Sequence, residues 1–130
     1  MKTGILFFFA AMLILCLSGC QADHWLMKGL NASNPEDKIK YFTKSIKKEV
    51  EDTAAYFNRG NAKAVLHDYQ GAIDDYNKTI ELDPKYALAY FNRGNTKYFI
   101  GDLIGACTDW KIAGELGYNE AFDKINTNCK

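Results

Sequence analysis

Residues 55–63 read AYFNRGNAK, and residues 89–97 read AYFNRGNTK. Eight of the nine positions are identical, and the copies begin 34 residues apart. Near-identity at a fixed period marks a chain of stacked supersecondary units, each too small to bury its own apolar face. On a helix of about 3.6 residues per turn, Tyr56, Arg59, Gly60 and Lys63 share one face, as do Tyr90, Arg93, Gly94 and Lys97. The ring and the glycine suit a close approach to a second helix. The Arg and Lys stems are expected to lie over that face with their charges in water.

The period extends well beyond the nonapeptide. Tyr69, Ala72, Tyr76, Thr79 and Pro84 follow the first copy, and Leu103, Ala106, Trp110, Ala113 and Tyr118 follow the second at the same offsets. This pattern resembles the tetratricopeptide repeat, in which helix A, a tight turn and helix B are followed by a proline-marked turn. It runs without a gap over residues 53–118. Thr79, where the family favours Ala, and Tyr118, where it favours Pro, depart from it. The resemblance implies an all-α, right-handed solenoid of antiparallel helix pairs, with units at 53–86 and 87–117.

A damaged unit precedes these two. Trp25 and Gly29 keep the aromatic-to-glycine spacing, and Lys38, Ile39, Phe42, Ser45 and Ile46 lie one period before Ala72, Ile73, Tyr76, Thr79 and Ile80. Three residues are missing between Gly29 and Lys38, so helix A of this unit, residues 24–52, should be short. Lys38 stands where a small residue should pack. Asn34-Pro35 reads as an N-cap followed by an N1 proline. At the other end, Gly117 suits a left-handed helix stop. Residues 118–130 then form a capping helix, with Asn119 as its expected N-cap, in which Ala121, Phe122 and Ile125 alternate with Glu120, Asp123 and Lys124.

Cys107 lies ten residues before Gly117, and Cys129 lies eleven after Tyr118. A helical hairpin turning at 117–118 brings the two thiols side by side, where they form a disulfide if oxidised and remain two free thiols if not. No CxxC spacing exists and neither His24 nor His67 is near in sequence, which excludes the usual zinc patterns.

The chain's start has a different character. Lys2 precedes Ile5–Leu17, an unbroken apolar run of 13 residues. As a helix it would span about 20 Å, against a hydrocarbon core of roughly 30 Å. That length suits the apolar core of a signal peptide. The run ends in Leu17-Ser18-Gly19-Cys20, which resembles the lipobox of bacterial lipoproteins. The resemblance implies a signal peptide over 1–19, lipidation of Cys20, a tether at 20–23, and export to the cell envelope. Gln21, rather than Asp, after the cysteine points to the outer membrane, facing the periplasm. The full chain balances 16 basic against 16 acidic residues, so nothing drives nucleic-acid binding.

Ala54, Phe57, Asn58, Asn61 and Val65 lie on the helix A side opposite Gly60, and Leu88, Phe91, Asn92, Asn95 and Phe99 are their equivalents. In the family this side lines the concave groove where peptides or partner helices bind. Amides match a peptide backbone, since each offers a donor and an acceptor. The same residues could instead pack between stacked units. Phe57 and Phe91 stand where members that clamp a terminal carboxylate carry Lys. Asp74, Asp75 and Asp83 read as a solvated face. No nucleophile, Walker or metalloprotease motif is present. The expectation is a non-catalytic module with a protein partner and a lipid on Cys20, needing no cofactor, metal, nucleic acid or small-molecule substrate. A purely structural subunit using its convex face or an edge is the alternative, and a cell-wall enzyme accessory a remote one.

Overall fold

The computed structural model describes residues 21–130, and the expected signal peptide and lipidated Cys20 lie outside the described residues. Among these residues are seven helices and no strand. They are α1 (21–31), α2 (Pro35–Lys48), α3 (Thr53–Val65), α4 (Tyr69–Leu82), α5 (Ala87–Phe99), α6 (Leu103–Glu115) and α7 (Glu120–Asn128). Each helix from α2 onward packs on the next, and α3 also touches α5. The result is an all-α solenoid of helix pairs closed by α7. Among the described residues no helix is long and apolar enough to cross a membrane.

Side-chain caps set most of the helix starts. Asn34 Oδ1 accepts from the Asp37 amide at 2.7 Å with Pro35 in the first turn. Asp52, Asp68 and Asp102 do the same for α3, α4 and α6, at 2.8–3.0 Å. Such a cap satisfies one of the orphan N–H groups at a helix start and contributes about 1 kcal/mol. Asn119 differs from expectation. Its backbone is already helical (φ −63°, ψ −30°), so its side chain makes no cap hydrogen bond to α7. Gly101 (φ +87°) and Gly117 (φ +96°) end α5 and α6 in left-handed turns. His67 occupies the turn matching Gly101 with φ +62°.

Two close approaches define each helix pair. A Cβ on Gly60 would lie 2.9 Å from the Tyr76 ring and 3.3 Å from the Ala72 carbonyl. One on Gly94 would lie 2.8 Å from Trp110 and 3.1 Å from the Ala106 carbonyl. Gly29 meets the Phe42 ring in the same way, so the damaged first unit still forms a hairpin. Its missing residues come from the end of α1, which stops at residue 31. Ser45 tightens that hairpin. Its hydroxyl donates to the Ala22 carbonyl at 2.9 Å and lies 2.7 Å from Asp52 Oδ2.

The core has two centres. Phe57, Ala72, Tyr76 and Ala89 join units two and three, and Ala106, Trp110, Ala113 and Ala121 join unit three to α7. Cys107 and Cys129 form a disulfide between α6 and the end of α7, with Cα atoms 5.7 Å apart. It closes a loop over a sequence separation of 22. In the chain-entropy picture that is worth about 3 kcal/mol, large for an array this short. Replacing both cysteines by Ser should lower unfolding stability by about that amount in urea titrations followed by Trp110 emission. An unchanged midpoint would show that α7 docks without the bond.

Candidate functional site

The repeated nonapeptide is largely used up inside the array. Asp75, one helix over, is buried with its side chain 5% exposed. Its carboxylate accepts Arg59 Nε at 2.9 Å and an Arg59 Nη at 2.6 Å, with Lys63 Nζ at 2.8 Å. Asp109, 2% exposed, is held by Arg93 at 2.9 and 2.7 Å and by Lys97 at 2.9 Å. This corrects two expectations. The Arg and Lys charges do not sit in water, and Asp75 does not belong to a solvated face. Asp74, bonded to Gln70, and Asp83, which accepts from the Lys85 amide, fit that description. The physical reason is that the Gly60 and Gly94 contacts draw helix B under the Arg stem, where a lone carboxylate would be costly and a forked partner offsets the desolvation.

The same arginines reach backward along the array. Arg59 Nη1 donates to Thr43 Oγ1 at 3.1 Å, and Arg93 Nη1 donates to Asn77 Oδ1 at 2.7 Å. Each unit is thereby keyed to helix B of the unit before it.

The expected groove residues divide into two sets. Phe57 is 6% exposed and packs on Tyr86 and Tyr76, with ring centroids 5.0 and 6.1 Å away. Phe91 is half-buried against Tyr118 at 4.7 Å, and Leu88 packs on the first core centre. All three fill the seam between successive units, so Phe57 is core rather than groove surface. Asn61 Oδ1 accepts from Tyr76 Oη at 2.8 Å and from Asn92 Nδ2 at 2.9 Å. Asn95 Oδ1 accepts from Trp110 Nε1 at 3.1 Å. Burial pushes the Tyr76 phenol far above its ordinary value, which keeps it a neutral donor to Asn61. Asn61 and Asn95 spend their oxygens on the array and keep their N–H groups for whatever lies in front of them, whereas Asn92 spends one N–H on Asn61.

What remains open is the concave side of α1, α3 and α5. A cavity of about 280 Å³ lies between the first two units, lined by Lys38, Phe42, Asn58, Asn61 and Val65 among others. A second, of about 410 Å³, is lined by Asn61, Val65, Tyr69, Asn92, Asn95 and Phe99 among others. Asn61 and Val65 border both, so the two cavities adjoin along α3 as one concave channel interrupted at these side chains. Val65 and Phe99 are 67% and 69% exposed along it. Asn58 Nδ2 donates to the Ala54 carbonyl at 2.8 Å. Lys38 and Tyr69 were missing from the expected strip. Lys38 could have been found, because a long side chain at the place of Ala72 and Ala106 has nowhere to go but the space left by the shortened α1. Lys38 is the one charged residue lining the first cavity.

Chemically the channel offers amides, aliphatic and aromatic surface, one ammonium and the His67 imidazole, which lies 2.7 Å from the Tyr69 hydroxyl. That suits non-covalent recognition of an extended segment. Among the described residues no cluster of His, Cys, Asp or Glu could hold a metal ion.

Comparison with known proteins places this geometry. Two family models, each described as tetratricopeptide repeat, match residues 53–86 and 75–108. No curated protein matches the sequence. Among solved structures, the first TPR of Spaghetti (RPAP3) bound to the HSP90 peptide SRMEEVD superposes with a TM-score of 0.80 at 23% identity, covering 85% of this chain and 92% of that one. The Arabidopsis OM64 TPR domain gives 0.79 at 22% identity, covering 85% and 98%. The TPR2B domain of yeast Sti1, in a pHsp70 complex, gives 0.69 at 25% identity, covering 81% and 98%.

Removing one member of the buried ion cluster should be far worse than removing all of it. Asp109→Ala leaves Arg93 and Lys97 facing each other without a counter-ion and should cost about 3–5 kcal/mol in urea unfolding. Asp109→Leu combined with Arg93→Met and Lys97→Met should recover most of that loss. A single variant within about 1 kcal/mol of wild type would mean that the cluster is hydrated in solution.

Proposed function

Because this chain is a tetratricopeptide-repeat protein, we propose that it is a non-catalytic interaction module, tethered to the bacterial envelope by lipid on Cys20, that holds a segment of another envelope protein in its concave channel. The observation that carries the reading is the adjacency of the two cavities, which share Asn61 and Val65, along the concave side. A channel of this kind accepts an extended peptide, whose backbone the amide N–H groups of Asn61, Asn92 and Asn95 can meet. Similar folds in RPAP3 and Sti1 are solved with peptide partners. The Leu17–Cys20 sequence supports the tether, and Gln21 supports an outer-membrane address. A role in assembling an envelope complex follows from combining a lipid anchor with a peptide groove.

A second reading rests on a different surface. Leu103 and Ile104 are exposed on α6, Ile104 at 85%, beside a cavity of about 350 Å³ next to the disulfide. A structural subunit docking through this flank would leave the channel idle.

In-cell crosslinking and affinity capture separate the two. Val65→Glu/Phe99→Glu puts charge into the channel at two exposed positions and should leave helicity and melting unchanged. It should abolish capture of the envelope protein taken by wild type. Equal capture by both proteins, with loss on Ile104→Glu, would move the contact to α6. Intact mass of the purified mature chain should show Cys20 as the first residue, carrying diacylglyceryl and usually a further acyl group. An unmodified chain beginning elsewhere rejects the tether.

A further inference from the structure

The arginine that keys each unit to the one before has no such task in the first unit. Lys28 precedes Gly29 as Arg59 precedes Gly60, and Tyr41 stands one period before Asp75. The buried carboxylate is therefore absent, and a ring takes its place. Trp25 and Tyr41 stack with centroids 6.0 Å apart and an interplanar angle of 15°. Three ammonium groups surround the pair. Lys44 Nζ lies 4.2 Å from the Trp25 centroid, Lys28 Nζ lies 5.1 Å from Trp25 and 5.8 Å from Tyr41, and Lys40 Nζ lies 5.8 Å from Tyr41. Among the described residues none of the three has a carboxylate within ion-pair distance. Lys28 and Lys40 are exposed and Lys44 half-exposed. By its equivalence to the face through which Arg59 and Arg93 reach backward, this is the open end of the array, where a preceding unit would stack.

We propose that this open end is a membrane-contact face, in which Trp25, Tyr41, Lys28, Lys40 and Lys44 engage anionic phospholipid headgroups beside the lipid on Cys20. The inference rests on the lipidation reading, and three observations support it. Residue 21 follows Cys20 directly and is already helical, and Trp25 lies four residues on, about 6 Å of helix rise, so a lipid on Cys20 would hold this end close to the bilayer. Trp and Tyr rings with one apolar body and one polar edge favour the headgroup layer, and unpaired ammonium groups match lipid phosphates. A second copy is a poor occupant, because two such ends face to face would bring six lysines together. The two or three acyl chains on Cys20 hold the protein stably by themselves, and a basic, aromatic face beside them would fix it in one orientation. The α7 end then projects away from the membrane, with the concave channel opening sideways.

The two tryptophans make the test direct, since Trp110 is 1% exposed and shielded from lipid. The acylated protein is added to vesicles of equal parts phosphatidylglycerol and phosphatidylcholine carrying bromine on the acyl chains. Trp25 emission should shift to the blue and be quenched, and Trp25→Phe should remove the quenchable part. Lys28→Glu/Lys40→Glu/Lys44→Glu should cut quenching several-fold with an unchanged circular dichroism spectrum, and high salt should do the same to wild type. Acylated protein that cosediments with vesicles while Trp25 stays unquenched overturns the proposal and leaves the tether standing. Quenching that survives both charge reversal and salt overturns the headgroup pairing. If intact mass shows no lipid, the tether reading falls by itself. Quenching of that unlipidated chain by the anionic vesicles would still uphold the face, and its absence would overturn it. Crosslinking of Lys28 to a second copy also counts against the proposal.

Discussion

A buried carboxylate gripped by an arginine fork is the interaction on which this array depends. Asp75 and Asp109 are each enclosed by an Arg and a Lys from the neighbouring helix. Each pair ties helix A to helix B, and the remaining guanidinium N–H carries the connection back to Thr43 or Asn77. A stack of small hairpins has little core per unit, and its stability is the sum of unit and interface terms. A hydrogen-bonded ion cluster placed at each joint fixes rotation and register where apolar packing alone would permit sliding. The close approaches at Gly60 and Gly94 are its precondition, because they bring the two helices near enough for the fork to close.

The ends of the array are resolved by different chemistry. At the C-terminal end, α7 takes the place of a following helix A. Ala121 enters the second core centre, and the disulfide locks the helix to α6. At the N-terminal end there is no covering helix among the described residues. The ion cluster gives way there to stacked rings under lysine side chains, which present a polar surface to the outside as a terminal unit requires. The truncation of α1 has a second effect. It opens the cavity that Lys38 lines, so the defect in the first unit lengthens the concave channel.

The channel itself is defined as much by what the array consumes as by what it leaves. The Asn61 and Asn95 oxygens are committed to Tyr76, Asn92 and Trp110. Phe57 and Phe91 are committed to the seams between units. The surface left for a partner comprises amide N–H groups and the Asn58 and Asn92 oxygens, Val65, Phe99, His67 and the Lys38 ammonium. It offers donors, acceptors and apolar contact, which suits the backbone of an extended segment.

The fold was legible in the sequence because a repeat states each helix-pairing rule more than once. The aromatic-to-glycine spacing, the Ala at Ala72 and Ala106, the Asn34-Pro35 cap and the Gly117 stop are local or periodic signals, and each has a direct backbone or steric cause. The concave strip was only partly legible. Helical periodicity assigns a residue to a face, but whether that face meets solvent or the next unit depends on how far successive hairpins are rotated. That rotation is set by long-range contacts such as Phe57 with Tyr86 and Arg93 with Asn77. Sequence alone determined the repeat, its units and the side chains available to a partner. Only the tertiary structure decided that the repeated Arg, Lys and Phe face inward, because burial is a property of the assembled stack and not of any one helix.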